Sequence, residues 1–159
     1  MRLAGRLAVA VMLAAATQLQ AQDSLTVSLD SVVAYAATYL GSPYRWGGQS
    51  PKGFDCAGFT RFVFRHFGQD LASSAAAQLP QGRRLDDGDL RQGDLVFYGG
   101  RNAGSAIGHV GMVTEVDSAG FRFIHAASDG VRFTRSTEPY YKKRYKGACR
   151  PRILDTDRP

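Results

Sequence analysis

Phe54-Asp-Cys-Ala-Gly-Phe-Thr-Arg-Phe-Val-Phe-Arg-His-Phe-Gly68 is the stretch on which the reading of the fold turns. Asp55 is a natural N-cap, because its side chain can accept from amide N–H groups that the first helical turn leaves free, and Gly68 is a natural stop. Between them Cys56, Phe59, Val63 and Phe67 recur on one helical face with Phe62 beside them, so the segment reads as an amphipathic helix with Cys56 on its core side. A thiol in a first turn meets unpaired N–H groups and the helix dipole, which stabilise a thiolate. A neighbouring imidazolium would lower the thiol pKa further, into the range of about 3.5–7.5. A buried inert thiol, or a disulfide with Cys149, is the alternative that position alone leaves open.

On the N-terminal side, Gly41-Ser-Pro-Tyr-Arg-Trp-Gly-Gly-Gln-Ser-Pro-Lys-Gly53 is dense in turn formers and reads as a loop. Before it, Val32, Val33, Ala36, Ala37 and Leu40 recur at steps of three and four, which predicts a helix over Asp30–Leu40 with Gly41 as its stop. On the C-terminal side a short helical stretch around Ser73–Leu79 gives way to alternation. Leu95–Tyr98, His109–Val116, Phe121–Ala126, Val131–Thr134 and Tyr145–Ile153 read as five strands. Helices first and strands afterwards predict an α+β domain with a central antiparallel sheet of about five strands.

The chain has 159 residues, one Trp, seven Tyr and nine Phe, enough apolar bulk for one core, so disorder and a disulfide-dense miniprotein are both disfavoured. Its two cysteines cannot make a zinc ribbon, and no metal site is read from the sequence. Arg2 and Arg6 precede the apolar run Leu7–Ala16, and Thr17-Gln-Leu-Gln-Ala21 ends in a small residue. That is the layout of a secretory signal peptide over residues 1–21. The run is about half of the roughly 20 residues needed to cross a bilayer, so no membrane insertion is expected after processing. No cysteine near position 21 offers a site for lipid attachment.

Residues 22–159 read as a single exported domain. Without the leader and its two arginines it is 138 residues long with a net charge of +4, against +6 for the whole chain. The residual basicity gathers in Lys142, Lys143, Arg144, Lys146, Arg150 and Arg152 among Tyr140, Tyr141 and Tyr145. This is expected to be a solvated strand or turn with snorkelling side chains rather than a nucleic-acid patch, and an anionic envelope polymer suits the charge equally well.

A nucleophilic thiol needs a base, and the base needs a polar group to orient it. His66 lies about ten residues along the Cys56 helix, some 15 Å away, and reads as a helix C-terminal or surface residue. His109 and His125 lie in neighbouring strands, where each can be a structural residue or part of such a relay. Both are odd-numbered, so their rings share a face only if cross-strand partners sum to an even number. That takes an odd loop or one β-bulge. A plain even loop at Asp117–Gly120 would set the rings on opposite faces and end the relay reading.

Pro43-Tyr-Arg-Trp-Gly-Gly48, Gly53-Phe-Asp-Cys-Ala-Gly-Phe-Thr60, Gly93-Asp-Leu-Val-Phe-Tyr98, Gly108-His-Val-Gly111 and Phe123-Ile-His-Ala126 resemble, in order and spacing, the NlpC-type cell-wall cysteine peptidases. The resemblance spans roughly residues 30–152. It implies a papain-like fold in which the nucleophile helix packs on the sheet. Cys56 is then the nucleophile, His109 the general base, His125 the polar third member and Tyr44 an active-site hydroxyl that joins the Cys56 N–H at the oxyanion. It also implies Asp55 as a receiver of a stem-peptide amine, a role compatible with its N-cap role, and Trp46 as a substrate contact. The implied substrates are peptidoglycan stem peptides, cut between D-glutamate and the diamino acid or at a cross-link, through a thioester and without metal or organic cofactor, by an expected monomer. Departures from the family pattern bear on specificity. Leu71-Ala-Ser-Ser-Ala-Ala-Ala-Gln78 lacks an Arg and a Pro, Trp46 stands where Tyr is common, and Ala57 stands where Ser is common. A catalytically silent wall- or partner-binding module, and acyl transfer on another small amide, are the competing readings. Cys149, on the last strand, is expected to be free and buried.

Overall fold

A computed structural model describes residues 27–101, 104 and 106–156, so the expected leader at 1–21 lies outside the described residues. Among the described residues, four helices, α1 (Leu29–Ala37), α2 (Cys56–His66), α3 (Ala75–Gln78) and α4 (Pro139–Arg144), combine with eight strands. Strands β1 (Gln49–Ser50) and β2 (Gly53–Phe54) form a small hairpin in the glycine-rich loop. The others are β3 (Gly82–Leu85), β4 (Leu95–Gly99), β5 (Ile107–Asp117), β6 (Gly120–Ala127), β7 (Gly130–Arg135) and β8 (Tyr145–Pro151). They make one antiparallel sheet in the order β3-β8-β4-β5-β6-β7. The five expected strands are all present. The sixth, β3, carries Arg83 and Arg84 and is exposed at both, so it has too little alternation to stand out; it is a strand because β8 offers it a ladder.

The sheet divides two apolar layers by the parity of its side chains. Leu95, Phe97, Val110, Met112, Ile124, Ala126 and Cys149 meet α2 through Phe59, Val63 and Phe64. Val96, Tyr98, Val113, Phe121, Phe123 and Ala148 face the other way, toward Tyr141 of α4.

α2 begins and ends where expected. The Gly58 N–H donates to Asp55 Oδ1 (2.6 Å). At the far end Gly68 takes a φ of +96°, with the Gly68 N–H bonded to Arg65 O and the Gln69 N–H to Phe64 O. This is the paired closure that a glycine after the C-cap permits. The buried face is wider than the periodicity suggests, because Thr60 and Phe64 are buried too. Thr60 is covered by Gln78, whose Oε1 accepts from the Thr60 hydroxyl (2.8 Å) and whose Nε2 donates to Ala57 O (2.9 Å) and Ala72 O (2.8 Å).

α1 ends three residues earlier than expected. It stops at Ala37, a turn carries the chain through Thr38–Gly41, and Leu40 is 44% exposed. The Gly41 N–H is taken by Val131 O of β7 instead (2.9 Å), which ends the helix before its periodicity does. The basic, tyrosine-rich stretch also differs from expectation. Pro139–Arg144 is a helix that buries Tyr141, and Arg150 does not snorkel. It is buried in β8 and holds Asp94 through Nε–Oδ1 (2.9 Å) and a second guanidinium nitrogen to Oδ2 (3.0 Å).

Candidate active site

Cys56 opens α2 and is partly buried. Burial pushes its thiol above the ordinary value of about 9, against the backbone N–H of Val110, which holds it down, while the Asp55 carboxylate adds to the rise. The helix tip contributes in the expected direction through the Ala57 and Cys56 N–H groups, but desolvation outweighs it, so the resting thiol is neutral rather than a preformed thiolate. The Val110 contact fixes the thiol against β5, one residue beyond His109.

β5 and β6 are joined by a two-residue turn, Ser118-Ala119, with Asp117 paired to Gly120. An even loop alone would set the two imidazoles on opposite faces. A β-bulge at Thr114 restores the parity: partners sum to an odd number from Glu115 outward and to an even number from Val113 inward. His109 and His125 therefore share a face, and His109 Nε2 lies 2.8 Å from His125 Nδ1, the rings nearly perpendicular. His125 is wholly buried. Its Nε2 meets the Thr134 hydroxyl of β7 at 2.9 Å. Tyr141 lays its ring against both histidines, edge-on to His125 (5.3 Å between centroids), and Tyr98 packs beside Tyr141 on the same side of His109.

Burial, with the Arg132 guanidinium nearby, lowers His109 from 6.5 to about 4, and burial with His109 and Arg132 lowers His125 further still. Both rings are neutral at neutral pH, which suits a base that must receive a proton. Arg132 pairs with His125 in the β6–β7 register, lies 3.2 Å from Asp129 and bonds to the Tyr141 hydroxyl.

A cleft of about 720 Å³ opens over His109, walled by Tyr44, Trp46, Arg101, Arg132, Glu138 and Tyr140. Tyr44 is bridged to Phe54, and burial followed by the nearness of Cys56 and Asp55 raises its hydroxyl pKa, so that hydroxyl is protonated at neutral pH and available as a donor. Trp46 stands 88% exposed on the rim. Asp55 spends both oxygens on backbone N–H groups, Oδ1 on Gly58 and Oδ2 on Gly47 (3.0 Å), which fastens the glycine-rich loop to the tip of α2. His66 stacks on Tyr35 at the far end of the helix, 3.9 Å between centroids. Cys149 is free and buried between β3 and β4, with burial pushing its thiol up to about 12. No cluster of ligating side chains that could hold a metal occurs among the described residues.

Thr134, Arg132, Tyr141 and Gln78 are the parts that sequence reasoning passed over. A threonine or arginine inside an alternating strand looks like any solvent-face residue until the register is known. Gln78 was visible only as the last residue of a stretch without apolar periodicity.

A helix that presents a cysteine at its tip to an antiparallel sheet bearing coupled imidazoles defines the papain-like class. The profile of the NlpC/P60 family matches residues 41–150, and the chain belongs to that family. It is 40% identical over 116 residues to the murein DD-endopeptidase MepS/murein LD-carboxypeptidase of Escherichia coli strain K12, covering 72% of this chain and 58% of that protein. It is 37% identical over 109 residues to the probable endopeptidase p60 of Listeria grayi, covering 69% of this chain and 20% of that protein. The chain thus spans between a fifth and three fifths of these relatives. A crystal structure of an NlpC/P60 family protein from Bacillus cereus superposes with a TM-score of 0.72 at 30% identity, over 81% of this chain and 41% of that one.

Proposed function

We propose that this protein is an exported cysteine peptidase that hydrolyses amide bonds in peptidoglycan stem peptides, at a D-glutamyl–diamino acid bond or at a cross-link. The observation that carries the reading is the 2.8 Å bond between His109 Nε2 and His125 Nδ1. It occupies one nitrogen of His109 and leaves Nδ1 as the nitrogen free to act as a base, on the strand whose next residue faces the Cys56 thiol. The relatives named as murein and p60 endopeptidases support the substrate class. So does a cleft whose wall carries Arg101 and Arg132 against the single acid Glu138, since stem peptides are rich in carboxylates. The signal-peptide layout of residues 1–21 supports the exported location that this substrate requires.

The chemistry begins with a neutral thiol. His109 Nδ1 takes the Cys56 proton as sulfur attacks the scissile carbonyl carbon. The tetrahedral oxyanion is met by the Cys56 N–H and the Tyr44 hydroxyl, a donor of this kind being worth about 3–4 kcal/mol. The His109 imidazolium passes its proton to the leaving amine nitrogen, the C–N bond breaks and a thioester remains. Water then attacks the thioester with His109 again as base, releasing a carboxylic acid and restoring the thiol. Trp46 and Tyr140 supply apolar walls for the peptide, and Asp55 keeps lone pairs for a substrate amine.

Purified protein incubated with sacculi and with defined muropeptides, followed by mass spectrometry, tests this. Stem-peptide fragments are expected, and the bond cut is read from their masses. Full activity in a Cys56→Ala variant, or binding to sacculi with no product, overturns it.

A further inference from the structure

The bond between the two imidazoles admits one proton between two nitrogens, so it has a direction, and the direction decides whether His109 can act. If His109 Nε2–H donates to His125 Nδ1, His109 Nδ1 carries a lone pair and can receive the thiol proton. If His125 Nδ1–H donates to His109 Nε2, the proton of His109 sits on Nδ1 and the base is blocked. Both rings are neutral, so no charge on either ring chooses between the two arrangements.

The choice passes to the other side of His125. Its Nε2 meets Thr134 Oγ1 at 2.9 Å, and this hydroxyl, 3% exposed, has no second hydrogen-bond partner among the described residues. As an acceptor, Thr134 places the His125 proton on Nε2 and leaves Nδ1 to accept from His109. As a donor, it reverses the chain. Once His109 is an imidazolium the ambiguity ends. Its Nε2–H can only donate, His125 Nδ1 must accept, His125 Nε2–H must donate, and Thr134 Oγ1 must accept. With Arg132 on the same face, an oxygen there is the group that offsets the positive charge arriving on the histidine pair.

We propose that Thr134 is a positioning residue that sets the tautomer of the His109–His125 pair and supports the imidazolium formed when Cys56 attacks. The proposal rests on the peptidase reading for its kinetic effect and on geometry alone for its tautomeric one. It reaches the reacting atoms through two rings, so it acts on kcat and leaves substrate binding alone.

The test uses the full protein labelled with 15N-histidine, with Thr134→Val and Thr134→Ser beside it. In the wild type at neutral pH, both histidines are expected to show a protonated Nε2 and an unprotonated Nδ1. A His125 protonated on Nδ1 overturns the proposal whether or not any variant folds. Thr134→Val, close in shape but without the oxygen, is expected to lose about 10- to 100-fold in kcat on a stem peptide, as an unsatisfied buried donor implies, with KM within about twofold. It should also shift the His125 15N signals. Thr134→Ser is expected to restore kcat to within about threefold. Equal losses in the two variants, or wild-type kcat and unchanged 15N shifts in Thr134→Val, overturn the proposal. Failure of the wild type to cleave any peptide refutes the peptidase reading and leaves the 15N result to decide this one.

Discussion

A β-carbon on Gly111 would lie 3.2 Å from the Cβ of His125 and 2.6 Å from Cδ2 of Phe123, so the absence of a side chain at Gly111 is what lets the His125 side chain leave its backbone beside the Phe123 ring. Gly111→Ala is expected to displace Phe123 and His125 together, lowering stability by about 1–3 kcal/mol, the usual cost of overpacking. It should also reduce turnover more than that loss of stability explains, because the 2.8 Å bond to His109 is stretched. Urea denaturation and kcat on a muropeptide check this. A variant of wild-type stability and rate would contradict it.

Acid should act through the histidines, in a direction set by burial. The folded protein holds His109 down to about 4 from an ordinary 6.5, whereas the unfolded chain takes up that proton near 6.5. The stability tied to neutral His109 is complete above about pH 6.5 and is lost as pH falls toward 4, because the unfolded state then binds more protons. The acid limb of kcat/KM should likewise lie near pH 4. A rate profile falling at pH 6–7 would show that the ring is not desolvated as the structure has it.

Alkylation reports on the nucleophile. With burial holding Cys56 above an ordinary thiol, the rate with iodoacetamide should climb through pH values above about 9, with no plateau at neutral pH. Such a plateau would signal a thiolate–imidazolium pair in the resting enzyme.

Gln78 can be tested without touching the histidines. Replacing it with leucine takes the buried donor from the Ala72 carbonyl and the 2.8 Å acceptor from the Thr60 hydroxyl, which is left with the Ala57 and Cys56 carbonyls of its own helix. A loss of about 2–3 kcal/mol is expected, together with slower turnover from a loosened first turn of α2. Calorimetry and kcat measure the two effects separately.

The buried Arg150–Asp94 pair should be costly to break on one side only. Arg150→Met leaves the buried Asp94 carboxylate with the Arg91 N–H but without its guanidinium partner, for an expected loss of about 3–5 kcal/mol. Adding Asp94→Asn to Arg150→Met should return part of it. Additive losses in the double variant, measured by denaturation, would contradict a direct coupling.

What the sequence alone determined about this protein is local in origin. The Asp55 cap, the glycine closure after Phe67 and the apolar stripe of α2 each depend on residues three or four positions apart, and five strands announce themselves by alternation. The order of the short motifs marked Cys56, His109 and His125 as candidates for one site. Tertiary structure decided the rest. Whether two odd-numbered histidines share a face turned on one extra residue, Thr114, and a bulge forms only against a partner strand. α1 ended early because β7 took the Gly41 N–H. The sign of the Cys56 shift was settled by how much water the fold removes, which no spacing encodes. Thr134 met His125 only when β7 paired with β6. Short-range hydrogen bonding and periodicity are written along the chain, whereas register, burial and the partner of a buried nitrogen are properties of surfaces that exist once distant segments have packed.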